Sequence, residues 1–138
     1  MLTIRRDLVD AMIAHARADH PDEACGVIAG AAGSDVPARF IPMANAARST
    51  TFYEFDSGDL LRLYREMEAN DEEPVVIYHS HTATPAYPSR TDINCAAEPN
   101  AHYVLVSTRS QQDTEVRSYR IIDAEVTEEQ VQIVESVP

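Results

Sequence analysis

Basic residues are scarce in this sequence of 138 residues: 11 Lys and Arg stand against 23 Asp and Glu, and the formal net charge is −12. Binding of nucleic acid needs clustered basic side chains that neutralise phosphates, so the composition argues against a nucleic-acid partner. The same charge argues against attraction to an anionic membrane surface. We interpret the acidity as a source of solubility, and a basic partner protein stays open.

Cysteine is rare, and long apolar segments are absent. Cys25 and Cys95 lie far apart and outside any CxxC spacing, which argues against a disulfide scaffold and against a cysteine-ligated zinc. No apolar segment approaches the length that spans a bilayer, and none of the signal-peptide type follows the start. We therefore expect a cytoplasmic protein with reduced thiols and no membrane partner.

Tryptophan is absent and aromatic residues make up only 7% of the chain, but hydrophobic residues as a whole make up 44%. That content is enough for a packed core without a disulfide. The length is that of one ordinary domain, and we expect residues 1–138 to form a single domain. The sequence does not determine the oligomeric state, and a homo-oligomer stays open.

The spacing of apolar residues predicts two main helices. The opening residues are expected to start an amphipathic helix that runs over residues 7–19, with Asp7 as its cap. A second helix is predicted after a cap at Asp56 or Ser57. The residues predicted on its apolar face are Leu60, Leu61, Tyr64 and Met67.

Short β-prone segments separate these helices. The predicted strands, in chain order, cover residues 23–30, 38–45, 52–55, 74–81, 102–108 and 115–122, with one or two more within 125–135. Pro42 implies that its strand lies at an edge or contains a bulge. Ser89 is expected to open a short helix that ends at about residue 97. Strands separated by helices predict an α/β domain with a mixed central sheet flanked by helices.

Two histidines end the most β-prone segment of the chain. Residues i and i+2 of a strand point to the same face, so His79 and His81 can reach one metal ion while Ser80 faces away. Ser89 and Asp92 are three residues apart on the predicted short helix and share a face. If that helix packs over the end of the strand, Asp92 supplies a third ligand. Two imidazoles and one carboxylate suit Zn²⁺ and can leave a fourth position open for water.

Each part of this pattern also has a structural interpretation. An HxH pair is often the polar end of a strand, and Ser-x-x-Asp is often a helix cap. Their combination in one short segment favours a catalytic metal site, because structural zinc usually takes cysteine-rich sets of four ligands. Hydrolysis also needs a general base, for which Glu23 is the candidate. The alternative, which composition alone slightly favours, is that Glu23 is a solvated residue after the first helix.

Together, these residues resemble the motif of the JAMM (MPN-plus) zinc metalloproteases: Glu23, His79-x-His81 and Ser89-x-x-Asp92, with seven residues between the second histidine and the serine. The resemblance implies an MPN (JAB/MPN-like) domain in which His79, His81 and Asp92 hold Zn²⁺. It also implies that Glu23 activates water and that Ser89 helps to hold the oxyanion. The family cleaves peptide or isopeptide bonds next to the C-terminus of ubiquitin or ubiquitin-like proteins.

Longer segments resemble an actinobacterial member of this family: DHPDEACGVIAG, PVVIYHSHTATPAYPSRTD and HYVLVSTR. That resemblance implies release of cysteine, in cysteine biosynthesis, from a ubiquitin-like sulfur-carrier protein with a C-terminal Gly-Gly tail. The chain departs from the family at Thr82, where many members have proline directly after the second histidine. Thr82 is not a ligand position, so the departure concerns loop shape and substrate fit.

Other functions stay open. A deubiquitinase-like isopeptidase or a peptide-trimming metalloprotease with another substrate would use the same residues. A non-catalytic MPN binding module is disfavoured, because all five motif positions are present. A zinc nucleobase deaminase needs an HxE and a PCxxC, and neither occurs. Arg48, Arg62 and Arg65 are interpreted as solvated residues, with binding of a carrier protein as the alternative.

Overall fold

The computed structural model describes residues 1–136 of the chain. Its elements, in chain order, are β1 (Leu2–Arg5), α1 (Arg6–Asp19), β2 (Cys25–Ala31), β3 (Arg39–Met43), α2 (Ser57–Ala69), β4 (Glu72–His81), α3 (Arg90–Cys95), β5 (His102–Ser107), β6 (Glu115–Ile122), β7 (Glu125–Glu129) and β8 (Val131–Val134). None of the helices in this part of the chain is long and apolar enough to cross a membrane.

A six-stranded sheet with the order β3-β2-β4-β5-β6-β7 forms the centre of the fold. β4 and β5 run parallel, and all other neighbours in this sheet run antiparallel. The predicted α/β class with a mixed central sheet is therefore confirmed. β3 lies at an edge, as Pro42 predicted, because proline has no N–H to donate to a second neighbour. β4 lies inside the sheet, and the two histidines stand at its C-terminal end.

Alternation along β4 divides its side chains between the two faces of the sheet. Val76 and Tyr78 pack in the core that α1 and β1 cover. Ile77 packs on the other face, in the core that α3 covers, and α2 packs over β2 on that same face. The period of two places His79 and His81 on the face of Ile77. The histidines therefore lie on the face that carries α2 and α3.

The chain begins with a strand, so the prediction that the opening residues start the first helix is wrong. β1 buries Leu2 and Ile4 and pairs in parallel with β8, outside the main sheet. Local periodicity does not reveal a partner near the opposite end of the sequence. α1 follows β1 directly, with Arg5 at the N-cap and no side-chain cap. Asp7 binds the guanidinium of Arg5 within the first turn, so its prediction as the cap is also wrong.

The predicted strand over residues 52–55 is not formed. Phe55 makes a single β-bridge with Asn45, and the rest of the segment is irregular. The Asn45 side chain takes the place of a strand partner: its amide donates to the carbonyl of Phe52, and its oxygen accepts from the N–H of Glu54. The alternating apolar pattern did not produce a strand here, because the Asn45 side chain forms the backbone hydrogen bonds that a partner strand would otherwise form.

The buried face of α2 also differs from the prediction. The side chain of Asp56 accepts from the N–H of Asp59, which confirms one of the two predicted caps. Met67 is buried and Leu60 is partly buried against the same core, as predicted, but Leu63 is buried as well, whereas Leu61 and Tyr64 are 53% and 54% exposed. Leu63 packs with the side chains of β2 and β3, so contact with the sheet selects a helix face that periodicity alone did not identify.

The remaining differences are in element boundaries. β2 begins at Cys25, two residues later than predicted, and α3 ends at Cys95, two residues earlier. Helix and strand ends are the least certain part of any pattern-based assignment. The tail contains two strands, β7 and β8, as predicted.

Candidate metal centre

Three ligand-type atoms converge where β4 ends. The Nε2 atoms of His79 and His81 lie 3.3 Å apart, and each lies 3.0 Å from Oδ2 of Asp92. Ligands about 2.0–2.1 Å from a tetrahedral Zn²⁺ are separated by about 3.3 Å, so the three atoms have the spacing of a zinc site. Within residues 1–136 this is the one group of three or more His, Cys, Asp or Glu residues that could hold a metal ion.

The hydrogen bonds of His81 show that the cluster needs a cation. Its Nδ1 lies 2.9 Å from the carbonyl oxygen of Pro85, which can only accept, so Nδ1 carries a proton. In the neutral ring, Nε2 is then an acceptor that faces a carboxylate oxygen of Asp92. Two acceptors 3.0 Å apart need a proton or a metal ion between them. The donor set therefore fits a divalent ion.

The pKa shifts describe how this cluster is charged before metal binds. Burial lowers the pKa of His79, and Asp92 only partly opposes that effect. Burial also acts to lower the pKa of His81, but its hydrogen bonds to Asp92 and Pro85 prevail and raise it. Burial acts to raise the pKa of Asp92, but the hydrogen bonds from both histidines hold it well below its usual range. The raised pKa of His81 favours its protonated form, so a metal ion would compete with a proton for this ring, since ligands must be deprotonated.

Ser89 and Asp92 form the N-terminal cap of α3. The Oγ of Ser89 accepts from the N–H of Asp92 at 3.0 Å, and Oδ2 of Asp92 accepts from the N–H of Ser89 at 2.9 Å. The capping interpretation of Ser-x-x-Asp is thus confirmed, and it is compatible with a metal site. The cap fixes the carboxylate whose Oδ2 faces both histidines. It also leaves the hydroxyl hydrogen of Ser89 without an acceptor among the described residues.

Pairing with β4 brings Glu23 to the same place. Cys25 of β2 lies opposite His79, and the register continues past the end of β2. The N–H of Ala24 donates to Oγ of Ser80 at 2.7 Å, and the N–H of Ser80 donates to the carbonyl of Ala24 at 2.9 Å. Glu23 therefore lies opposite His81, and opposite residues of antiparallel strands share a face. Ser80, which faces away from the metal cluster, holds the two segments together.

Glu23 is only 4% exposed, so its interpretation as a solvated residue is wrong. Burial raises the pKa of Glu23 to about 7, with His81 opposing the rise and Asp92 adding to it. A carboxyl group with that pKa can accept and return a proton near neutral pH. Its backbone is fixed on both sides, because its N–H donates to Ser49 and its carbonyl accepts from the Asn45 amide.

Two residues that the sequence did not single out support the cluster. The ring of Tyr53 stacks on the imidazole of His79, with centroids 4.4 Å apart and an interplanar angle of 24°. The Nδ1 of His79 has no hydrogen-bond partner within residues 1–136, so the stack takes the orienting role that such a partner usually has. Asn45 joins the backbone of Glu23 to the segment that carries Tyr53. Asparagine in a polar loop indicates side-chain bonds to backbone, but not which segments they join.

Thr82 connects the metal cluster to the loop over residues 45–51. Its hydroxyl donates to the carbonyl of Thr50 at 3.1 Å, while Pro85 farther along accepts from His81. The residue that replaces the family's proline therefore fastens residues 82–88 to residues 45–51. Threonine in place of proline at position 82 therefore affects the contact between these two loops, and the three ligand-type atoms stay in place.

An apolar cavity of about 490 Å³ opens beside Asp92, between α2 and α3. Leu63, Met67 and Ile77 are among the residues that line it, and Cys95 lies in its wall. The cavity carries no basic side chain. An extended, uncharged peptide segment fits such a surface.

The chain matches the family model described as prokaryotic homologs of the JAB domain over residues 5–122, and it belongs to this family. The resemblance to the JAMM (MPN-plus) family and the predicted JAB/MPN fold are thereby confirmed. The chain is accordingly a hydrolase of peptide or isopeptide bonds.

The chain is also similar to relatives with named activities and to a solved structure. The chain is 67% identical over 135 residues to the CysO-cysteine peptidases of Mycobacterium tuberculosis and Mycobacterium bovis, which covers 98% of this chain and 92% of each relative. It is 32% identical over 111 residues to the desampylase of Haloferax volcanii, covering 77% of this chain and 80% of that protein. A solution structure from Desulfitobacterium hafniense superposes with a TM-score of 0.86 at 31% identity, covering 99% of this chain and 95% of the other.

Proposed function

We propose that this protein is a zinc hydrolase that cleaves the amide bond at the C-terminus of a ubiquitin-like sulfur-carrier protein and releases cysteine. The observation that carries the proposal is the convergence of His79, His81 and Asp92 beside the buried Glu23. The similarity to CysO-cysteine peptidases supports the choice of substrate. The proposal places residues 1–138 in one domain and the reaction in the cytoplasm, where the free Cys25 and Cys95 stay reduced.

Each motif residue has a role in this reaction. His79, His81 and Asp92 would hold Zn²⁺, which when bound polarises a carbonyl and makes water a better nucleophile near neutral pH. Glu23 accepts the proton of the attacking water and delivers it to the departing amine. The free hydroxyl hydrogen of Ser89 is donated to the developing oxyanion. One water is consumed, and the products are the carrier carboxylate and free cysteine.

The apolar cavity beside Asp92 is the proposed location of the carrier tail. A Gly-Gly tail is slim and uncharged, and the residues that line the cavity include Thr91 and Asp92 of α3 and the exposed Tyr64 of α2. The tail is proposed to lie extended there, with the scissile carbonyl next to the metal cluster.

A mass shift of the carrier tests this function directly. A purified carrier–cysteine adduct with a Gly-Gly tail is incubated with the zinc-loaded protein and followed by intact mass. We expect loss of one cysteinyl residue and recovery of the free carrier carboxylate. The same carrier joined to a lysine side chain through an isopeptide bond is the comparison substrate, because similarity to a desampylase favours an isopeptidase as the second candidate. Cleavage of the isopeptide alone would replace the proposal with that candidate.

Replacing Ser89 tests its capping role and its catalytic role by two separate measurements. Ser89→Ala removes both the cap acceptor and the oxyanion donor, so we expect a loss of about 1 kcal/mol in unfolding free energy and of about 100-fold in kcat. Ser89→Thr keeps both groups and is expected to stay within a few-fold of the wild type. Thermal unfolding and steady-state kinetics measure the two effects. An unchanged kcat in Ser89→Ala would limit Ser89 to the capping role.

A further inference from the structure

A second cavity, of about 610 Å³, borders Glu23. Its walls come from the C-terminal part of α1, from the end of β3 and from the turn at residues 45–48. Unlike the apolar cavity, it has a basic side chain in its lining, Arg48, together with the acids Asp19, Asp22 and Glu23 and with the imidazole of His15. Because it includes Glu23, which delivers a proton to the departing amine in the proposed reaction, this cavity is suited to the part of the substrate that leaves.

Arg48 is held at the rim of this cavity by its backbone. Its N–H donates to the carbonyl of Asn45 at 3.1 Å, and its φ of 46° lies in the left-handed region. The carbonyl of the next residue, Ser49, accepts from the N–H of Glu23 at 2.8 Å. The position of Arg48 is therefore tied directly to the segment that carries Glu23. A residue in this backbone conformation is strained, and the surrounding bonds hold it there.

The guanidinium of Arg48 is exposed and makes no hydrogen bond or ion pair with any residue from 1 to 136. The acidic side chains of the same cavity, Asp19 and Asp22, lie beyond ion-pair distance from it. Five of the ten other arginines bind acids, as Arg39 does with Glu72 at 2.6 Å. An unpaired positive group thus lines the same cavity as Glu23, in a chain whose net charge is −12.

We propose that Arg48 binds the C-terminal carboxylate of the residue that departs, and so directs the enzyme to substrates with one residue beyond the scissile bond. This inference rests on the proposed function. A planar guanidinium binds a carboxylate with two parallel hydrogen bonds, which neither a neutral side chain nor an ammonium group reproduces. The amine that forms on cleavage meets the carboxylates of Glu23 and Asp22 in the same cavity. The cavity therefore offers complementary charge to both ends of a free amino acid.

Two substrates and three variants test this inference. The substrates are the carrier–cysteine adduct with a free C-terminal carboxylate and the same adduct with a C-terminal carboxamide. Arg48→Gln removes the charge at similar length, Arg48→Lys keeps the charge without the planar fork, and Arg65→Gln removes an exposed arginine of α2 that lines neither cavity. Zinc content and melting temperature are measured for each variant to confirm that it is folded.

The wild type is expected to prefer the carboxylate over the carboxamide by at least about 10-fold in kcat/KM, which is the factor that corresponds to about 1.4 kcal/mol. Arg48→Gln is expected to remove this preference, mainly by raising KM for the carboxylate, with a much smaller effect on cleavage of the carboxamide. Arg48→Lys keeps part of the preference, and Arg65→Gln keeps all of it. Equal rates on both substrates in the wild type, or equal losses on both in Arg48→Gln, would overturn the inference. Failure of the wild type to cleave either adduct would instead refute the proposed function.

Discussion

Glu23→Gln is expected to lose turnover by about 100-fold to 10,000-fold while it keeps its metal, because the variant removes a proton acceptor and no ligand. Glutamine has the same size, so the buried position opposite His81 stays filled. The backbone bonds from Glu23 to Ser49 and Asn45 are also unaffected by this change. Steady-state kinetics on the carrier–cysteine adduct and elemental analysis of zinc measure the two halves of the prediction.

The matched control is Glu68→Gln, which neutralises an exposed acid near the end of α2. It is expected to match the wild type in both rate and zinc content. Full activity in Glu23→Gln would remove Glu23 from the role of base. Loss of zinc together with activity would show that Glu23 contributes to metal binding.

His79→Ala and Asp92→Asn are expected to lose the metal itself, and activity with it. His79→Ala removes one of three atoms that lie 3.0–3.3 Å from one another, and Asp92→Asn replaces the charged ligand by a neutral amide. Replacing even an outer residue of a metal site costs about 10-fold to 100-fold in affinity, so removal of a direct ligand is expected to cost at least about 100-fold. Oδ2 of Asp92 faces both histidines and also accepts from the N–H of Ser89, so the melting temperature of Asp92→Asn is needed to show that the cap of α3 survives the change.

Zinc stoichiometry by elemental analysis, together with a melting temperature, measures this effect. His20→Ala is the matched control, since His20 is exposed and its ring bonds to Thr108 outside the cluster. It is expected to retain one zinc per chain. Stoichiometric zinc in His79→Ala or in Asp92→Asn would disprove the ligand assignment.

Local patterns predicted those parts of the site that depend on neighbours in sequence. The period of two in a strand placed His79 and His81 on one face, and the structure confirms that their Nε2 atoms meet. The Ser-x-x-Asp spacing predicted a capped helix, and Ser89 and Asp92 form the capping box. Both features arise from backbone geometry over a few residues, so tertiary contacts had little influence on them.

Features that depend on distant partners were not predicted. β1 exists because β8 pairs with it, and the buried face of α2 is decided by contact with β2 and β3. The stacking of Tyr53 on His79 requires an irregular segment that Asn45 holds in place. In each case the partner lies outside the range over which a periodic pattern carries information.

The sequence by itself determined the types of donor in the candidate site, because residue type and spacing put two imidazoles on one face of β4 and a carboxylate at the start of α3. Only the tertiary structure decided the surroundings that give those donors a function. Pairing of β2 with β4 brings Glu23 opposite His81, buries it and raises its pKa to about 7. The same fold places Arg48 and Glu23 in one cavity. Burial and charge proximity arise between segments that meet only after folding, and no local pattern encodes them.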